Sequence, residues 1–195
     1  KDKGHGEDAF LKIATKVKDL VNEGQAFFVK GNHELKAIKK NRKNMDRNSI
    51  YHWIDLQPIA ISFLYPNQTR YTCVHAGITP KMTWDTISHD LNVCYTRVLD
   101  KNGNHVHMIR NNVTETWEPA IKDVKEWHDV YDGRFGYVIS GHNCNPKNPT
   151  FYNYSCNIDS GVFNTGILSA VIFNKDGKKE VIQVKGEAYG KKVSA

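Results

Sequence analysis

Apolar positions along this chain recur with two different periods, and the changes of period mark its elements. Over residues 7–23, Phe10, Ile13, Val17, Leu20 and Val21 recur every three or four positions. That predicts an amphipathic helix, and Gly24 stands where a left-handed residue closes one. The continuous apolar run Ala26-Phe27-Phe28-Val29 predicts a buried strand over 25–30, and Leu35-Lys36-Ala37-Ile38-Lys39 begins a helix after it. Residues 59–65 and 70–74 flank Pro66-Asn67-Gln68-Thr69 as a hairpin. Residues 93–100 and 105–109 flank Lys101-Asn102-Gly103-Asn104 as a second, signalled by Asn-Gly. Short helices are expected over 83–91 and 119–131. Strands follow over 137–140, 155–158, 167–173 and 179–185, the last two joined through Asp176-Gly177. Strand and helix alternate at first, then strand dominates. No internal repeat, low-complexity tract or linker intervenes, so the pattern predicts one α/β domain over 1–195.

The polar residues that carry chemistry stand at the ends of these predicted strands. Gly31-Asn32-His33-Glu34 follows the run over 25–30. An apolar run ending in a glycine turn delivers polar groups to the rim of a sheet, where α/β sites lie. Asn offers a carbonyl oxygen to a hard cation, and the adjacent His an imidazole for proton transfer. His75-Ala76-Gly77-Ile78 ends the strand over 70–74, and Ser140-Gly141-His142-Asn143 ends that over 137–140. A lone His at a strand end is usually a hydrogen-bonded structural residue. Three such ends in one pattern point to a shared site, and His/Asn/Asp ligation suits Mn, Fe or Zn better than an all-oxygen calcium cage. His105 and His107 alternate along a strand and would share a face. His52, His89 and His128 fall in helices or turns, where a surface role is the default.

Composition changes the picture little. Hydrophobic residues at 39% and charged residues at 25% describe a globular protein rather than a disordered one. No apolar stretch could span a bilayer. Residue 1 is Lys and no signal-peptide pattern follows it, which leaves targeting open. Cys73, Cys94, Cys144 and Cys156 are widely spaced without a C-x-x-C pair, which argues against a structural zinc site or a disulfide framework and favours a reducing cytoplasm. Asn67, Asn112 and Asn153 begin Asn-x-Ser/Thr triplets, a coincidence expected in an Asn-rich chain. The net charge of +6 favours anionic ligands. Its densest patch is Lys36, Lys39, Lys40, Arg42, Lys43 and Arg47, which either forms a solvated basic face or tracks a polynucleotide backbone.

Taken in order, Asp2-Lys3-Gly4, Gly31-Asn32-His33-Glu34, His75-Ala76-Gly77-Ile78, Gly141-His142 and Asn157-Ile158-Asp159-Ser160-Gly161 resemble the successive signatures of the calcineurin-like metallophosphoesterases. Within that superfamily they look like the phosphoprotein-phosphatase branch. The stretch Cys94-Tyr95-Thr96-Arg97 is most similar to its tetraphosphatase-like and polynucleotide-repair members. The resemblance implies central mixed β-sheets sandwiched by helices and a centre of two divalent metal ions, manganese first and iron or zinc as alternatives. It implies Asn32, His75 and His142 as ligands of the second metal. His33 becomes the general acid, with Asp2 holding its tautomer. Lys3, where many relatives carry Arg, becomes a phosphate contact without a bidentate fork, and Arg97 and Arg134 are further candidates. The family's first strand and first-metal ligands would precede Lys1, so the chain is expected to be the later part of a longer protein. The expected activity is hydrolysis of phosphomonoesters or nucleotide phosphoanhydrides. A protein Ser/Thr phosphatase and a non-catalytic nucleic-acid- or metal-binding module are the alternatives.

Overall fold

A computed structural model describes residues 4–188 of the chain, and the side chains of all of these except 4–7 and 44. The chain divides into two compact units, Lys1–Pro58 and Ile59–Ala195.

In the first unit, α1 (Gly4–Asn22), α2 (Asn32–Asn41) and α3 (Ile50–Leu56) carry the order, with a 3₁₀ turn at Arg42–Asn44. α1 closes as its sequence predicts. Gly24 sits at φ 70°, while Gln25 N–H donates to the Leu20 carbonyl at 2.9 Å and Gly24 N–H to Val21 at 3.1 Å. This is the Schellman arrangement, which satisfies two otherwise orphaned carbonyls. Ser49 caps α3 by accepting from His52 N–H at 3.1 Å. Phe10 stacks on Tyr51 and Phe28 packs against Trp53, while Ile38 and Ile54 are buried.

One expectation fails in this unit. Residues 26–31 form neither strand nor helix. An extended segment becomes a strand only where a neighbour offers a hydrogen-bonding ladder, and the other described elements of this unit are helical. A backbone link ties the segment to a residue well further along, from Lys30 N–H to the Pro58 carbonyl at 2.9 Å. Phe27, expected in the core from its apolar run, is 82% exposed.

The second unit is built on β1 (Ala60–Leu64), β2 (Arg70–Val74), β3 (Val98–Leu99), β4 (His105–Val106), β5 (Met108–Arg110), β6 (Trp117–Pro119) and β7 (Lys125–Glu126). A one-turn α4 (Trp127–Val130) follows, then β8 (Tyr137–Ser140), β9 (Thr150–Phe151), β10 (Ser155–Asn157), a short α5 (Val162–Thr165), β11 (Ile167–Phe173) and β12 (Lys179–Lys185). The principal sheet has the order β1-β2-β8-β10-β9. β2, β8 and β10 run parallel at its centre, with Cys73 opposite Ile139 and Ile139 opposite Cys156. Antiparallel β1 and β9 lie at its edges, giving a mixed α/β fold. β11 and β12 form the antiparallel hairpin predicted around Asp176-Gly177.

Two further expectations are corrected. Residues 84–89 form turns rather than a helix and Leu91 opens a 3₁₀ turn: Ile87 N–H reaches the Thr83 carbonyl and Asp90 N–H the Thr86 carbonyl, both at 2.9 Å, without merging into a continuous α-helical run. Residues 119–131 are mostly strand and turn, with α4 as their only helix. The hairpin through Asn102-Gly103 is present, but its strands are only two residues each.

His128, expected on the surface, is buried. Its ring lies parallel to Tyr152 at 4.1 Å and against Trp127 at 3.9 Å, and its Nδ1 meets Ser155 Oγ at 2.8 Å. Burial pulls its pKa from the ordinary 6.5 down to about 4. The unfolded chain therefore binds a proton near pH 6.5 that the folded chain refuses until about pH 4. The stability is intact above 6.5 and falls as pH drops through this window. The expected loss from pH 7 to pH 4.5 is about 2 to 3 kcal/mol. Urea unfolding of wild type and His128→Phe at both pH values checks this. The difference should shrink by that amount in the variant, and an unchanged difference would assign the acid limb to other groups.

Candidate functional site

The ends of β2 and β8 lie side by side, and the sequence immediately beyond them continues their pairing. Gly141 N–H donates to the His75 carbonyl at 2.9 Å, which extends the β2–β8 register beyond the ladder. Two imidazoles converge as a result. His75 Nε2 lies 3.1 Å from His142 Nδ1, with the rings inclined at 63°. His142 holds a left-handed backbone at φ 66°. A non-glycine residue occupies that region at a cost of about 1 kcal/mol or more, and such outliers gather at functional sites.

The turn after β2 is tightly enclosed. Ala76 and Gly77 N–H both donate to the Val93 carbonyl, at 2.8 and 3.3 Å. A Cβ on Gly77 would stand 2.4 Å from Trp127 Nε1 and 2.7 Å from the Thr96 carbonyl. Both neighbours are buried, so Gly is required here for close approach rather than for an unusual φ.

The turn after β8 is held from beneath by asparagines. Buried Asn157 donates from Nδ2 to the Asn143 carbonyl at 2.6 Å. Buried Asn148 donates to the Asp159 carbonyl at 2.6 Å, and Asn145 N–H reaches the same carbonyl at 3.0 Å. Asp159 closes the next turn by accepting from Gly161 N–H at 2.8 Å. Sequence reasoning missed Asn145 and Asn148 because nothing in their spacing distinguishes a tertiary network from an Asn-rich loop. Asn157 and Asp159 stood in a recognised segment without an assigned role.

Gly31-Asn32-His33-Glu34 opens α2 in the other unit. Glu34 turns back to accept from Gly31 N–H at 2.8 Å, half of a capping box whose other half glycine cannot supply. Asn32 is the first helical residue and is buried, while His33 follows it and is exposed. Lys30, just before the motif and also missed, is buried and donates from Nζ to the Asp55 carbonyl at 2.5 Å, on the last turn of α3.

The two arginine candidates differ. Arg97 is half-buried in the chain beyond Val93, and burial lowers its pKa while Cys144 and Asp159 raise it. It therefore lies within electrostatic reach of the turn that carries His142. Arg134 is held by Asp132, whose carboxylate accepts from Nε at 2.9 and 3.0 Å and from Nη2 at 2.6 Å, and its Nη1 donates to the Pro80 carbonyl at 2.7 Å. A phosphate would have to compete with that carboxylate. Asp2 and Lys3 lie outside the described residues.

The chemistry of the converging pair suits a divalent cation. At the usual metal–nitrogen distance, two imidazoles bound at right angles to one ion stand about 3 Å apart, close to the separation of His75 and His142. No group of three or more His, Cys, Asp or Glu arranged for a metal occurs among the described residues. His105 and His107 also meet, with rings 4.8 Å apart, likewise without a third such partner. The cysteines are free thiols, and burial pushes Cys73 up to about 11 and Cys156 up to about 12, which makes both poor ligands and nucleophiles. Among the described residues, no helix is long and apolar enough to cross a membrane.

A family model for calcineurin-like phosphoesterases matches residues 2–146. Comparison with curated proteins and with solved structures finds no match.

Proposed function

Since the chain belongs to the calcineurin-like phosphoesterase family, a group of metal-dependent phosphoester hydrolases, we propose that it hydrolyses phosphomonoesters or nucleotide phosphoanhydrides. The observation that carries this reading is the convergence of His75 and His142 to 3.1 Å at the ends of neighbouring parallel strands. Asn32, His75 and His142 are the proposed ligands of one of two divalent ions, with manganese the preferred metal. A bound divalent ion supplies Lewis acidity, which polarises the phosphoryl group and makes water a competent nucleophile near neutral pH. The remaining work falls to the chain. Buried Asn157 and Asn148 hold the His142 turn in one conformation, so that imidazole needs no reorganisation to bind. Arg97, half-buried at a desolvation cost that lowers its pKa, is the proposed contact for a phosphoryl oxygen. His33, exposed at the start of α2, is the proposed proton donor to the leaving oxygen, and Asp2 the group that fixes its tautomer.

General-acid catalysis has a signature in the leaving group. Full-length protein treated with chelator and reloaded with manganese should hydrolyse both phenyl phosphate and 2,4-dinitrophenyl phosphate. In His33→Ala, turnover of the phenyl ester is expected to fall about 10²- to 10⁴-fold, the usual contribution of a positioned acid. Turnover of the dinitrophenyl ester, whose leaving group needs no proton, should fall far less. Equal losses would remove His33 from this role. Absence of hydrolysis with manganese, iron or zinc would favour the binding-module alternative. A phosphopeptide cleaved in preference to a dinucleoside tetraphosphate would assign a protein Ser/Thr phosphatase instead.

A further inference from the structure

The outer face of α2 carries a ridge of like charge that the packing of its own unit does not use. Lys36, Lys39 and Lys40 on the helix, Arg42 and Lys43 on the 3₁₀ turn, and Arg47 beyond it are all exposed. None of the six takes part in an ion pair among the described residues. The one acid on α2, Glu34, is turned to Gly31 at the opposite end, and Asp46 accepts from Asn48 N–H. Lys39 and Lys40 lie three and four residues after Lys36 and four and three before Lys43, so the four share one face over about 10 Å of rise. Like charges one turn apart repel and lower helix stability. Lys39 and Lys40 in the last turn complement the helix dipole, which offsets that repulsion, and the charge of the ridge stays open to an anionic ligand.

The surroundings indicate which anion. No large hydrophobic residue between 30 and 50 is exposed, so the ridge lacks the apolar anchor of a helix that lies in a membrane interface. Tyr51 and Trp53, the aromatics that follow the ridge, are engaged with Phe10 and Phe28 and offer no platform for a base. What remains is a row of cations without readout of bases, which fits a repeating phosphate backbone. We infer that this face of α2 binds the sugar–phosphate backbone of a single-stranded polynucleotide, independently of sequence. Asn32 and His33 begin the same helix one turn before Lys36, so a strand lying along the ridge directs its terminal phosphate to them. Only this last placement rests on the phosphoesterase reading.

Fluorescence anisotropy with a labelled twelve-nucleotide single-stranded RNA carrying a 3′-phosphate tests the inference on full-length protein between 50 and 200 mM salt. Each phosphate neutralised on a single strand contributes about −0.7 to the slope of log K against log salt. The triple variant Lys36→Gln/Lys39→Gln/Lys40→Gln should flatten that slope by about 2 and weaken binding at least tenfold at the lowest salt. The charge-keeping Lys36→Arg/Lys39→Arg/Lys40→Arg should retain it. Removing the same charge elsewhere, with Lys12→Gln/Lys16→Gln/Lys175→Gln, should change it little, and an equal flattening there would overturn the inference in favour of net charge alone. Binding of vesicles containing 30% phosphatidylserine without binding of RNA would overturn it in favour of a membrane. Matching thermal midpoints establish that the variants are folded. Ridge-dependent RNA binding by a protein that hydrolyses no phosphate ester would uphold the ridge and remove the phosphoesterase reading. Hydrolysis without ridge dependence would do the reverse.

Discussion

Replacing His142 by asparagine is expected to lower manganese-dependent phosphatase turnover by more than about 100-fold, beyond the loss typical of an outer-shell partner of a metal ligand. Asparagine is the informative substitution because it tolerates the left-handed backbone that His142 adopts at φ 66°. The loss then reports the imidazole rather than backbone strain. His75→Ala, with no such backbone constraint, should give a loss of the same order. The two are not expected to add, since either one destroys the same pair. A double variant no worse than either single one supports a shared ion, whereas multiplicative losses would mean that the two histidines act separately.

Gly77→Ala is expected to be strongly destabilising. Its Cβ would meet Trp127 Nε1 at 2.4 Å, Trp127 Cδ1 at 2.5 Å and the Thr96 carbonyl at 2.7 Å, all closer than a real Cβ contact. Trp127 is 1% exposed and Thr96 fully buried, so neither can retreat without moving the turn after β2. Overpacking of this kind costs about 3 kcal/mol at the upper end of the usual range. In a chain of this length that corresponds to a fall on the order of 10 °C in thermal midpoint. Trp127→Ala removes the indole atoms that clash, so Gly77→Ala should cost at least about 1 kcal/mol less in that background. Additive costs would show that the Thr96 carbonyl, not the indole, is the obstacle. Because His75 stands two residues before Gly77, the same substitution should also lower activity at temperatures where the protein remains folded.

What is legible in the sequence is what local chemistry decides. Gly24, Asn102-Gly103 and Asp176-Gly177 each require a backbone that their neighbours cannot supply, and each closes the element expected of it. β8, β11 and β12 coincide with their predicted spans because alternation and flanking turns bound them on both sides. The order of the motifs likewise points to the family, because each motif is a short contiguous segment whose residue types are set by its own turn and its own chemistry. Sequence pattern misleads where an outcome depends on partners distant along the chain. The run from Ala26 to Val29 has the composition of a buried strand, but composition cannot provide a ladder. Residues 83–91 have apolar spacing suited to a helix, yet their i→i−4 bonds do not merge into one. His128 looks like any surface histidine until Trp127 and Tyr152 enclose it. The asparagine network beneath His142 joins residues 143 to 159, and no periodicity marks it.

Everything proposed for catalysis depends on the paired imidazoles at the ends of β2 and β8 holding a divalent ion. A manganese titration of chelator-stripped, full-length protein reads that binding without recourse to turnover. Free manganese is followed by electron paramagnetic resonance on wild type, His75→Ala and His142→Asn in parallel. Wild type is expected to remove manganese from solution, and both variants to lose at least one tightly bound equivalent. Superimposable isotherms for all three proteins would contradict a shared ion at these histidines.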